Sequence, residues 1–272
     1  MTDATAETRL AKILLYPVKA LDGIEAEAAR LLESGALEHD REFVMLDSEG
    51  QPVSGKRNPK VHLLRAAFDE AFSRVTLSAR GERAKTFALR GEEAALEGWL
   101  ARFFGFPVRW VRVEGGSPDD KKAHGPTVVS LASLKEVASW FEGLDAAQAV
   151  RRFRPNLVVD GCPPFWEDRL VGPAETAVRF AVGEARLLGV NPCRRCVVPA
   201  RDPLTGEAVP AFRQVFSERR RASLPPWADA SRFDFAYRLA VNTAVERTQA
   251  GRLLRVGDPV RILDLHPAAP TG

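Results

Sequence analysis

The first ninety or so residues carry their apolar side chains in short β-like runs cut off by turn residues. Regularly spaced short strands of this kind point to a sheet or a barrel-like unit. Residues 9–17 (RLAKILLYP), 42–46 (EFVML), 61–68 and 74–78 read as strands, and 47–50 (DSEG) as a tight connection. Helical spacing follows. In 92–105, Ala95, Leu96, Leu100, Phe103 and Phe104 share a face before Gly105. In 133–143, Ser133 reads as a cap and Gly143 as a stop. Between them, 107–113 reads as a strand and 115–124 as an exposed loop. Strand-like runs return at 156–160, 177–182, 185–190, 196–200 and 259–263. The stretch 207–238 is polar and basic with Pro210, Pro225 and Pro226, and is expected to be a long surface excursion. The expected fold is α+β, mostly β. A β-barrel-like unit over residues 10–90 feeds a larger β-barrel domain over 91–266, with a few peripheral helices.

A chain of 272 residues with 45% hydrophobic and 28% charged residues can bury a real core. Its net charge of +3 argues against nucleic acid as the main partner. The arginines are nevertheless clustered, at 151, 152 and 154, at 194 and 195, and at 219–221. Such clusters are either solvated faces or anion sites, because guanidinium binds phosphate and carboxylate bidentately. Three cysteines do not make a disulfide framework and suit a reducing compartment. Met1 is followed by Asp3 and Glu7 with no apolar run, which speaks against a secretory signal or a mitochondrial presequence. No apolar stretch approaches the ~20 residues of a membrane span. The expectation is a cytoplasmic protein without a membrane partner.

The sequence Asn191-Pro192-Cys193-Arg194-Arg195-Cys196 stands out. A structural zinc would need about four ligands, and Cys162 and four scattered histidines supply no second pair. A thioredoxin-like motif opens a helix, whereas Val197-Val198-Pro199 follows here. A single thiolate for a soft metal, favoured by the adjacent Arg194 and Arg195, is a third reading. A buried, inert cysteine pair is the fourth.

Five motifs in order carry a resemblance. They are Tyr16-Pro17-Val18-Lys19; Asp40 to Gly50 followed by Gly55-Lys56-Arg57-Asn58-Pro59; Arg152 to Gly161 (RFRPNLVVDG) with Glu167-Asp168; Cys193 to Gly206 (CRRCVVPARDPLTG); and Val256-Gly257-Asp258-Pro259-Val260. Over residues 10–264 the chain resembles the MOSC family, and among its members the mitochondrial amidoxime-reducing component and its bacterial counterparts. The resemblance implies an N-terminal MOSC β-barrel domain followed by a MOSC domain, and a molybdenum cofactor (Mo-pyranopterin). Cys196 would ligate the metal. Lys19, Asp40, Arg41, Arg57, Ser130, Arg154, Asn156 and Arg195 would bind the cofactor, and Asp202 would line the catalytic site. Ser130 and Ser133 are alternatively helix caps.

The resemblance further implies a molybdenum-dependent oxidoreductase that reduces N-oxygenated (N-hydroxylated) small molecules. With no four-cysteine iron–sulfur pattern and no dinucleotide fingerprint, electrons would come from a separate protein, a ferredoxin or a cytochrome/flavoprotein pair. The alternatives are a cofactor carrier or sulfur-handling module without redox turnover, and a binding module that has lost the cofactor. Two departures stand out. Ala20 follows Lys19 where amidoxime-reducing members have Ser, and Val198 and Pro199 follow Cys196 where they have hydroxyl residues.

Overall fold

A computed structural model describes residues 7–116 and 123–267. The strands and helices run β1 Arg9–Leu15, β2 Ile24–Ala26, β3 Ala28–Arg30, β4 Phe43–Leu46, β5 Leu64–Phe68, β6 Arg74–Ala79, β7 Glu82–Ala88, α1 Glu93–Phe104, β8 Arg109–Arg112, β9 Val128–Ser130, α2 Leu131–Ser139, α3 Ala146–Phe153, β10 Leu157–Asp160, β11 Thr176–Val182, β12 Ala185–Arg194, α4 Phe212–Ala222, β13 Arg238–Ala244, β14 Leu253–Arg255 and β15 Val260–Pro267. The fold is α+β and mostly strand, as expected.

An eight-stranded sheet in the order β15-β11-β12-β13-β9-β10-β1-β2 forms the larger unit. All its pairings are antiparallel except β9 with β10. The sheet curls back on itself. Leu10 donates to the Asp258 carbonyl at 2.8 Å, Gly257 to Leu10 at 2.7 Å and Val260 to Thr8 at 2.8 Å, so β1 also meets the start of β15. The core inside the curl is built from alternate residues of these strands, among them Leu10, Ile13, Leu157, Phe180, Leu187 and Val241. Gly189 is needed in β12, because a Cβ there would stand 1.9 Å from the Leu170 carbonyl oxygen.

A second core lies in the N-terminal unit. There β4 pairs with β8 and β5-β6-β7 form a three-stranded sheet. Phe43, Met45, Val75, Leu77 and Phe87 pack against Leu96, Trp99, Leu100 and Phe103 of α1 and against Trp110 of β8. The boundary expected near residue 90 therefore falls before a helix that packs in the first unit's core. Conversely β1, at the start of the chain, belongs to the large sheet.

Several local expectations are corrected. The strand expected over 61–68 opens as a 3-10 turn, Pro59–Leu63, because Pro59 follows Asn58, whose side chain caps the Lys60 amide at 3.0 Å. The strand expected over 196–200 is a 3-10 turn, Val198–Ala200, with Pro199 at its start. Helix α2 begins at Leu131 and is capped by Ser130 rather than Ser133. The expected excursion 207–238 contains α4, which buries Phe212, Phe216 and Arg220 at helical spacing. Its many arginines had hidden that stripe. The loop expected over 115–124 lies mostly outside the described residues, including the charged stretch 119–122, as does the tail from 268.

α2, α3 and α4 cover one face of the sheet through a third core of Leu134, Val137, Phe153, Phe212, Phe216 and Tyr237. Within it lies a buried charge cluster. Arg220 ion-pairs with Asp168 and stacks 4.1 Å over the Phe165 ring. Glu167 accepts from the Ser130 amide at 3.2 Å and the Ser133 hydroxyl at 2.8 Å. Burial, then the adjacent Asp168 charge, pushes the Glu167 carboxyl up to about 7. A carboxyl raised on folding stabilises most below its unfolded value and loses that contribution as pH climbs through the folded one. Stability is thus expected to decline from about pH 4.5 to about pH 7. Glu167→Gln, which keeps the acceptor but cannot ionise, is expected to flatten that decline. Urea midpoints measured across the window check this, and an identical slope in both proteins would refute it.

Candidate active site

The two units meet over a cleft of about 890 Å³. Its walls carry eleven Lys and Arg side chains and only two carboxylates, Asp22 and Glu25, so the cleft is built for an anion. Lys19, Arg41, Arg57, Arg154, Arg195 and Cys196 all line it. Asp40, Ser130, Asn156 and Asp202 stand outside its lining.

The cationic wall is organised around Tyr16. Helix α3 opens on a capping box of Asp145 and Gln148 and ends on Arg154 in the left-handed conformation (φ 50°). That ending turns the Arg154 guanidinium over the Tyr16 ring at 4.1 Å, and Arg41, also left-handed at φ 53°, lies 5.2 Å from the same ring. The Tyr16 hydroxyl donates to the Pro155 carbonyl at 3.1 Å. Burial raises the phenol to about 12, against the lowering pull of the two arginines, so Tyr16 is a neutral platform.

The residues behind the wall hold it in place. Asp40 ion-pairs with Arg41 and accepts the Tyr16 amide at 2.9 Å. Asn156 donates to the Leu14 carbonyl at 3.1 Å and accepts from the Thr127 amide at 3.2 Å, joining β1 to the segment before β9. Arg57 lines the cleft but also faces Asp47 at 3.4 Å and is half exposed. Ser130 is fully buried and serves α2.

Cys196 is exposed just past the end of β12. Its sulfur accepts the Val198 amide at 3.5 Å. Arg195 donates to the Cys193 sulfur at 3.0 Å and to the Phe153 carbonyl, pinning the cysteine loop to the end of α3. Asp202 accepts the Leu204 and Thr205 amides at 2.8 and 2.9 Å and faces Arg152 at 3.6 Å. Burial works against its charge, but these donors outweigh it and hold the carboxyl below its ordinary value. Cys162 is different in kind, since burial pushes its thiol up to about 12.

Tyr16, Arg152 and His62 are site residues that the sequence reading did not assign. Tyr16 was signalled only as the first residue of a motif. The Tyr237 hydroxyl and His62 Nε2 are buried, with no hydrogen-bond partner among the described residues. Burial, then Arg201 and Arg65, lowers His62 from its ordinary value, so it faces the cleft as a neutral imidazole.

Among the described residues no group of three or more His, Cys, Asp or Glu could hold a metal. A metal beside Cys196 would have to bring most of its own ligands. Two family models match: the MOSC N-terminal beta barrel domain over residues 7–106 and the MOSC domain over 120–261. The chain belongs to the MOSC family.

MOSC proteins similar to it include mitochondrial amidoxime-reducing component 1 of Homo sapiens, 26% identical over 78% of this chain and 74% of the relative. The Xenopus laevis protein of the same name is 26% identical over 92% of this chain and 81% of its own length. Molybdenum cofactor sulfurase of Caenorhabditis briggsae is also 26% identical, over 72% of this chain but only 29% of the sulfurase. One of these MOSC relatives is named for the molybdenum cofactor, and all of them carry names that describe an activity. No helix among the described residues is long and apolar enough to cross a membrane.

Proposed function

We propose that this chain is a molybdenum-cofactor-binding oxidoreductase that reduces N-hydroxylated compounds with electrons from a separate donor protein. The observation that carries the reading is one exposed cysteine opening onto a strongly cationic cleft, with no cluster of three or more potential metal ligands among the described residues. The residues suit the group. A dithiolene pyranopterin brings two sulfurs to the metal and ends in a phosphate, so it asks the protein for a soft thiolate and several cations. Cys196 would hold the metal. Lys19, Arg41, Arg57, Arg154 and Arg195 would hold the anionic end, with Tyr16, Asp40 and Asn156 fixing the arginines rather than touching the ligand. Asp202 braces Arg152 and the loop that carries Pro203 into the cleft wall.

When bound, the molybdenum cofactor would supply a two-electron centre. Reduction of an amidoxime breaks the N–O bond and yields an amidine and water, taking up two electrons and two protons. The electrons come from the donor protein and the protons from solvent through the open cleft.

The test is protein made in a host able to supply the cofactor, assayed for molybdenum by mass spectrometry and for reduction of benzamidoxime and hydroxylamine with reduced methyl viologen. About one molybdenum per chain with turnover is expected. Bound cofactor without turnover, with persulfide on Cys196 or Cys193, would replace the reductase reading by the carrier or sulfur-handling one.

A further inference from the structure

We propose that the open groove between α4 and residues 234–236 is the docking face for the electron donor, and that it takes a protein whose surface is acidic around its redox centre. The inference rests on the reductase reading and names the partner of that same site. Arg213, Ser217 and Arg221 recur every fourth residue, one position after the buried stripe of Phe212, Phe216 and Arg220. They therefore share one face of α4, and that face lines a groove of about 420 Å³. Asp234, Phe235 and Ala236 form the opposite wall.

The groove adjoins the cleft through a printed stack of side chains. Arg213 lies 5.0 Å from the Phe235 ring centroid, and Arg194 lies 4.4 Å from the same ring. Arg194 also lines the cleft, as Cys196 does, so the positive wall continues from cleft to groove. Two carboxylates stand among these arginines, and both are engaged. Asp234 ion-pairs with Arg238 at 3.2 Å, and Glu218 accepts from the Gln214 side chain at 3.0 Å. Arg194, Arg213 and Arg221 are exposed, which suits rim charges that steer a large acidic partner rather than donors that enclose a small anion.

The groove is also coupled to the cysteine by a short path. The Tyr237 carbonyl, next in the chain to Ala236, accepts the Arg195 amide at 3.0 Å, and Arg195 is bonded to Cys196. Arg238 donates to the Pro192 carbonyl at 3.0 Å and holds the two strands together there. An electron delivered at the groove wall thus has a route to the cysteine through one hydrogen bond and a few covalent bonds. A one-electron donor would dock twice for each N–O bond broken. Two donors are oxidised in turn, and the two protons come from solvent.

The test uses molybdenum-loaded protein, benzamidoxime as substrate and reduced acidic plant-type ferredoxin as donor. Reduced methyl viologen, a small cation that needs no docking face, is the comparison. At about 0.02 M ionic strength, Arg213→Glu/Arg221→Glu is expected to lower kcat/KM for ferredoxin by about tenfold or more. Ferredoxin binding, measured by calorimetry, should weaken by a similar factor. Viologen-driven turnover should stay within about twofold of wild type, because rim charges act on the charged partner. Arg221→Glu alone, which leaves Arg213 on the Phe235 ring, should show part of the loss. Raising the salt to about 0.5 M should close the gap between the proteins. No ferredoxin binding to the wild type, equal affinities in wild type and double variant, or an equal fall with viologen overturns the docking face. Arginine-dependent ferredoxin binding to a protein that reduces benzamidoxime with neither donor overturns the reductase reading and leaves the docking face standing.

Discussion

Cys196→Ala protein from a cofactor-competent host is expected to carry less than about a tenth of the wild-type molybdenum, since even residues that only support a metal's ligands cost 10–100-fold in affinity when lost. Because Cys196 is exposed and its sulfur accepts a single long contact from the Val198 amide, folding stability should stay within about 0.5 kcal/mol. The pairing of those two results matters. Loss of metal with loss of fold would say only that the loop collapsed. Cys193→Ala is the internal comparison. Its sulfur accepts from Arg195, which the Phe153 carbonyl also holds, so this variant should keep most of its molybdenum. Equal metal content in wild type and Cys196→Ala, measured by mass spectrometry, would remove Cys196 from the role of ligand.

Arg220→Ala is expected to be the most destabilising single change in the larger unit, by about 3–5 kcal/mol, because it strips the partner from a buried carboxylate. Arg220 is 1% exposed and Asp168 3%. The arginine also fills the space between the Phe165 and Phe233 rings, at 4.1 and 4.8 Å. Burial already raises Asp168 above its ordinary value while Arg220 opposes that rise. Without the arginine the carboxyl should rise further, and the loss should therefore grow as pH increases. Arg220→Met, which keeps the length, should recover part of the packing and none of the pH dependence. Denaturant unfolding of the two variants at about pH 5.5 and pH 8 checks this, and a loss under ~1 kcal/mol in Arg220→Ala would show that the pair contributes little. A substitution outside the cleft lining can still reach it, because α4 packs on Phe153, which lines the cleft and precedes Arg154.

Much of the fold was legible locally. The strands β1, β4, β6, β10 and β11 and helix α1 lie where alternation, helical spacing and a terminal glycine put them. Misreadings came where local chemistry competed. Pro59 and Pro199 turned apolar runs into 3-10 turns. Helix α4 was hidden because its buried stripe includes an arginine, a residue that polarity alone assigns to solvent. Helix α3 carried a readable signal, the capping box of Asp145 and Gln148, that composition obscured.

The division within the site has the same origin. By itself the sequence determined residue chemistry and order: a cysteine flanked by arginines, an Arg-Pro-Asn motif, and lysine and arginine in two early motifs. What each residue does was decided only by tertiary structure, because contact across the chain depends on topology. β1 pairs with β10, and that brings Tyr16 beneath Arg154 from 138 positions away (154 − 16). The same crossing turns Asn156 inward to the Leu14 carbonyl and leaves Arg154 facing the cleft, although the two residues are neighbours in one motif. Backbone direction separates them: Arg154 is the left-handed end of a helix and Asn156 precedes the first residue of a strand, so successive side chains are aimed at different surroundings.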